Sequence, residues 1–144
     1  MNAPGERAAA EEFVERFASY WAAPLPEGLV ELLAADVRLA APLTPTTTTL
    51  ADAQRVFARL LAAVPDLTGR VHSWGATSDG VLIEFTLSGT AGGRPNSWRA
   101  VDRFVLRPDG LASERVSYFD SLPLALTLLR RPSAWWRVLR ARRG

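Results

Sequence analysis

Cysteine and lysine are absent from the 144 residues, and histidine occurs once, at His72. The missing cysteine excludes disulfides and thiolate chemistry, and one histidine alone cannot complete a zinc site. Neither a metal nor a cofactor is therefore expected. The missing lysine leaves all 17 basic residues as arginine, a pattern of genomic composition rather than of function. No stretch approaches the roughly 20 apolar residues of a membrane span. The amino-terminal MNAPGERAAAEEF contains acids and lacks the basic-then-apolar order of a secretion signal, so a cytoplasmic protein is expected.

What remains is ordinary globular material, 48% hydrophobic and 22% charged, long enough for one domain with a real core. The formal charge of +2 is unevenly spread. Residues 1–121 hold 11 arginines and all 15 acids, a net −4, whereas residues 122–144 hold six arginines and no acid, a net +6. The basicity belongs to the tail, so nucleic-acid binding by the acidic body is not expected.

Residues 6–22 place Phe13, Phe17, Tyr20 and Trp21 at steps of three and four, the spacing of one helix face. Pro24 and Pro26 end this helix, and 26–35 predicts a second, short one that buries Leu29, Val30, Leu32 and Leu33. Val37 to Ala41 reads as a short strand, and the PLTPTTTT passage as a loop. Thr49 is the expected N-cap of a third helix with a stripe of Val56, Phe57, Leu60, Leu61 and Val64. After Pro65-Asp66 the period changes from 3.6 to 2.

Residues 67–78 and 81–91 flank Asp79-Gly80, a strong hairpin signal. Pairing Ser78 with Val81 puts Trp74 opposite Phe85 and His72 opposite Leu87, with His72 on the apolar face. A second hairpin spans Trp98 to Asp120 around Arg107-Pro108-Asp109-Gly110. If Leu106 faces Leu111, then Phe104 faces Ser113, Asp102 faces Arg115, Ala100 faces Ser117 and Trp98 faces Phe119. A one-residue slip would send Asp102 and Arg115 to opposite faces. The order of elements is an α+β layout, with a twisted antiparallel sheet around packed helices and a cavity between the layers.

With that order in place, residues 10–122 resemble the nuclear transport factor 2-like superfamily and, within it, the SnoaL-like group of polyketide cyclases. LVELLAADVRLAAP and AVDRFVLRPDGLASERVSYFD carry the resemblance. It implies a cone-shaped fold, with N-terminal helices on a strongly curved, mainly antiparallel sheet that encloses a pocket. Residues 1–122 would form this domain and 123–144 an Arg-rich helical tail. The superfamily hosts several enzymes and silent binding domains, so function must come from the pocket.

Asp102 is the first candidate. The resemblance implies either a protonated acid that donates to an oxyanion, as in ketosteroid isomerases, or a general acid/base, as in SnoaL-like cyclases. The isomerase base and tyrosine are replaced here by Ala41 and Phe17, and the Asp-Arg-Asp network of limonene epoxide hydrolase by Thr86, Ser88 and Ser117. Neither of those activities is expected. Arg115 decides the role of Asp102: contact favours the carboxylate, while separation lets burial raise the pKa. A purely structural cross-strand ion pair is the competing assignment. His72 is the second candidate, as a proton shuttle.

Tyr20, Trp21, Trp74, Phe85, Trp98, Ser117 and Phe119 are the expected lining of a pocket for a hydrophobic ligand, with core packing as the alternative for the aromatic residues. Tyr118 and Asp120 fall on the outer sheet face, where the resemblance implies a homodimer interface. The tail, with Trp135 and Trp136 among arginines, suits a terminal helix better than a membrane-surface contact. Three functional classes therefore stand: a cyclase-like or isomerase-like enzyme without metal, a non-catalytic ligand-binding or dimerisation module, and a membrane or protein adaptor that works through the tail.

Overall fold

The structure is a computed structural model that describes residues 3–42 and 44–119. Helix α1 spans Pro4–Ala22. Proline suits its first turn, where the backbone N–H is not needed, and the Glu6 carboxylate accepts a hydrogen bond from the Ala3 N–H at 3.0 Å. Ala10, Phe13, Val14, Phe17 and Trp21 form its buried face. A 3₁₀ turn, Pro26–Glu31, follows. Then come β1 (Leu33–Ala41), β2 (Thr44–Thr47), α2 (Leu50–Ala63), β3 (Thr68–Thr77), β4 (Gly80–Ala91), β5 (Arg94–Leu106) and β6 (Ala112–Phe119).

Two elements differ from expectation. The helix predicted over 26–35 stops at Glu31, because Leu33 already pairs with Ala112 and the Ala112 N–H donates to Leu32 O at 2.8 Å. The threonine-rich passage expected as a loop contains β2, where Leu39 pairs with Thr47; β-branched residues suit a pleated edge. Helix α2 starts as predicted, with Thr49 Oγ1 accepting from the Asp52 N–H at 3.1 Å. Its buried face is narrower than predicted: Ala53 and Phe57 are buried but Leu60 is exposed.

The six strands lie in the order β2-β1-β6-β5-β4-β3, all antiparallel except β1 with β6. The sheet is curved and does not close. Helix α1 packs across it, bringing Phe13 to 4.8 Å from Phe104 and Phe17 to 5.0 Å from Phe85, ring centre to ring centre. Two glycines permit close approaches, one between strands and one between α1 and the sheet. A Cβ on Gly80 would fall 2.0 Å from Phe104 O, and one on Gly69 would fall 2.8 Å from the Trp21 Cβ. Gly80 therefore serves the close approach of β4 to β5, and the two-residue turn before it is Ser78-Asp79.

The strand registers decide what faces the helices. In the β5–β6 hairpin, Asp102 lies opposite Ser117 and Phe104 opposite Arg115, two residues away from the expected register. One residue of that offset comes from the turn, where Leu106 pairs with Ala112. The other comes from an irregularity at Ser113, since the adjacent pair is Val105 with Glu114. Two single steps preserve the alternation, so Asp102 and Arg115 remain on one face as diagonal neighbours. In the β3–β4 hairpin Trp74 pairs with Ile83 and Ser73 with Glu84, but the next pair is Val71 with Phe85. His72 is the extra residue of a bulge. That single step inverts the alternation, so the expectation that His72 faces the cavity is corrected: its Nε2 meets Thr86 Oγ1 at 2.7 Å on the exposed outer face.

Candidate functional site

Asp102 occupies the middle of β5, flanked in register by Ile83 on β4 and Ser117 on β6. It is 1% exposed, because β5 is an interior strand and the inner face at this point is covered by the helices. Its Oδ1 has no hydrogen-bond partner. Arg115 Nε stands 3.9 Å from Asp102 Oδ2, within ion-pair range but beyond a hydrogen bond, and this Nε is also without a partner. The guanidinium carbon lies 5.6 Å from the centre of the Phe57 ring.

Burial drives the Asp102 carboxyl pKa upward, and the opposing pulls of Arg115 and the Ser117 hydroxyl do not cancel it. Asp102 thus retains its proton to higher pH than an exposed aspartate and is suited to donate one. Tyr20 shifts in the same direction: burial first, then Glu27, hold its hydroxyl neutral, with Arg115 pulling weakly the other way.

A cavity lies between α1, the 3₁₀ turn and the sheet. Phe17, Trp21, Phe57 and Phe104 supply its aromatic walls, Leu29 and Leu32 its roof, and Tyr20 and Arg115 its polar side chains. It leaves about 10 Å³ for the centre of a water-sized sphere, room for roughly one water molecule. Among the described residues, four buried side-chain polar atoms lack a partner, and three of them belong to Tyr20, Asp102 and Arg115. The fourth, Thr47 Oγ1, is on edge strand β2. Unpaired buried polar atoms are costly, and two of these, on Tyr20 and Arg115, belong to the cavity lining, with Asp102 next to Arg115.

The residues singled out from sequence divide by place. Tyr20, Trp21 and Arg115 line the cavity, and Asp102 and Ser117 lie behind Arg115 on the same sheet face. Phe85 is buried against Phe17 and Trp21. Trp74, Trp98 and Phe119 are half-buried at the margins of the core, with the Trp74 ring under Arg7 at 5.5 Å. Phe119 borders a second, open groove of about 410 Å³ with Tyr118, Arg99 and Glu84. Asp120 and the tail lie outside the described residues. Phe57 and Phe104 were not anticipated as cavity walls. Phe104 was legible as the inward neighbour of Asp102 two residues along the strand, and Phe57 belongs to a helix stripe whose partner was not. No cluster of three potential metal-ligating residues occurs among the described residues.

A model of the SnoaL-like domain matches residues 14–115. The chain belongs to this family. Among solved structures, a putative SnoaL-like polyketide cyclase from Jannaschia sp. is 20% identical, with a TM-score of 0.70 over 84% of this chain and 90% of that one. A hypothetical protein with a ketosteroid isomerase-like fold from Catenulispora acidiphila, in complex with trimethylamine, is 21% identical, with a TM-score of 0.69 over 76% of this chain and 85% of that one. TerC co-crystallised with polyporic acid is 18% identical, with a TM-score of 0.71 over 81% of this chain and 95% of that one. At these identities the likenesses establish the SnoaL-like fold. Among proteins with curated descriptions, none matches. No helix of the described residues is long and apolar enough to cross a membrane.

Proposed function

We propose that this SnoaL-like protein binds a hydrophobic, carbonyl-containing small molecule and acts on it by acid/base chemistry of its own side chains, as a cyclase-like or isomerase-like enzyme. The observation that carries this is the buried Asp102 carboxyl, whose free oxygen and raised pKa accompany an Arg115 that does not hydrogen-bond it. In this reading Asp102, next to Arg115 though outside the present cavity lining, gives a proton to the ligand oxygen as charge develops there and becomes a carboxylate that Arg115 neutralises. The TerC complex with polyporic acid, a small organic molecule, is consistent with a pocket of this class. His72, on the outer face beside Thr86, takes no part in this proposal.

The test is native mass spectrometry of the purified chain to identify a retained ligand, followed by turnover of that ligand by the wild type and Asp102→Asn. Loss of about a hundredfold or more in rate with an intact fold is expected. Unchanged turnover removes Asp102 from the chemistry. A non-catalytic binding or dimerisation module is the second reading, favoured by the small aromatic-filled cavity and by the replacement of the isomerase base and tyrosine with Ala41 and Phe17. A ligand retained but never converted would establish it. The same spectra report association: the proposal includes a homodimer through the outer sheet face, where Tyr118 is 55% exposed, and a cytoplasmic location.

A further inference from the structure

The open groove of about 410 Å³ lies at the end of β6, on the outer side of the sheet, where β1 has run out. The last residue of β1 paired with β6 is Ala40, opposite Val116, so the strand end beyond it has lost its parallel neighbour. The groove walls are mostly apolar: Pro42, Val101, Tyr118 and Phe119, with Val101 opposite Tyr118 in register. Its two charged side chains are already matched. Arg99 Nη2 stands 2.9 Å from Glu84 Oε1, and Ser73 Oγ donates to Glu84 Oε2 at 2.8 Å. With that pair satisfied, the groove calls for apolar cover rather than for an ion, and Tyr118 is left 55% exposed beside it.

The chain itself supplies an occupant. Phe119, one of the walls, is where the described chain ends, and after Asp120 come residues 121–129, SLPLALTLL, with five leucines and no charge. We infer that residues 121–129 turn back on their own sheet and bury leucine side chains in this groove. Nothing has to move to admit them, because the groove is open as it stands. A segment joined to the wall of its own site docks as an intramolecular event, so a few leucines suffice where a free peptide of this length would dissociate. The contrast between the acidic body, net −4 over residues 1–121, and the basic tail, net +6 over 122–144, favours the same return. Arg130 and Arg131 end the apolar stretch and mark where the chain leaves for water. A partner of the outer face then meets these leucines beside Tyr118.

The absence of cysteine makes disulfide trapping in the full chain a clean test. Val101→Cys is combined in turn with Leu122→Cys, Leu124→Cys and Leu126→Cys. The same three are combined with Leu82→Cys, a 39% exposed position outside the groove lining. At least one Val101 pair is expected to close within a single chain about tenfold or more faster than every Leu82 pair. The double variant Leu124→Asp/Leu126→Asp, free of engineered cysteine, is expected to melt about 4 °C or more below wild type. Equal rates with the two partners, closure with none of the three positions, or an unchanged melting temperature of the double variant would each overturn the inference. Disulfides formed only between chains would also overturn it, giving the groove to a second copy. Neither readout involves ligand or turnover, so both are independent of the function proposed above.

Discussion

The β3–β4 and β5–β6 hairpins are each written as two alternating runs about a turn signal, and each departs from simple pairing. Only one of them loses its predicted inner face. In β5–β6 the turn adds one step and the Ser113 irregularity adds another, so Asp102, Arg115 and Ser117 all stay on the side of the helices. In β3–β4 the bulge at His72 inverts the alternation midway along the strand. Trp74 and Ala76 remain inward near the turn, Val71 takes the inner place beyond it, and His72 passes to the exposed side. Parity, rather than exact register, determines which side chains reach a pocket between a sheet and its helices.

Five substitutions break or sharpen this contrast. The largest effect is expected from Gly80→Val, which puts a side chain against Phe104 O where β4 meets β5 and removes the strand alignment that both hairpins share. Urea denaturation should show a loss of about 3 kcal/mol or more, or no soluble protein. Next is Phe104→Ala, which empties the inner place opposite Arg115 and the contact with Phe13, at a cost of about 3–5 kcal/mol by the same method.

A smaller, pH-dependent effect is expected for Asp102→Asn. The folded-state pKa of Asp102 is raised, so above the ordinary value of about 3.9 the unfolded chain releases a proton that the folded chain retains. The stability this group contributes is present below that value and is lost as pH rises towards the folded pKa. The melting temperature of Asp102→Asn relative to wild type should therefore increase with pH across that interval. Asp66 supplies the opposite sign. The Thr90 N–H and hydroxyl both donate to it at 2.8 Å and lower its pKa, so its contribution is lost on acidification and Asp66→Asn should fall furthest behind wild type at neutral pH. The smallest effect is expected for His72→Ala, within about 0.5 kcal/mol and with ligand binding unchanged, because the ring sits on the exposed face beside Thr86.

Much of the fold was legible because its signals are local. The aromatic steps of α1, the Thr49 cap and the Pro-Asp-Gly turn are written within a few residues of where they act, whereas the turn expected at Asp79-Gly80 falls one residue earlier, at Ser78-Asp79. The Asp102–Arg115 proximity was legible through alternation alone, despite the wrong register. Other features depend on partners distant in sequence. β2 forms because β1 offers an edge to the threonines, and β1 begins early because Ala112 bonds to Leu32. The bulge at His72 has no local mark: the residue is flanked by Val71 and Ser73, with no proline or glycine adjacent to signal a break. The cavity walls at Phe57 and Phe104 join a helix to a strand nearly fifty residues later, a contact that no single segment records.

The central claim is that Asp102 is an inward, proton-retaining carboxyl rather than the anionic half of a structural ion pair. The most direct measurement is a carbon-13 NMR titration of the Asp102 side-chain carboxyl in the intact chain. A midpoint above the ordinary aspartate value of about 3.9 is expected. A midpoint at or below it would show that the attraction of Arg115 outweighs burial, and would contradict the proton-donor role.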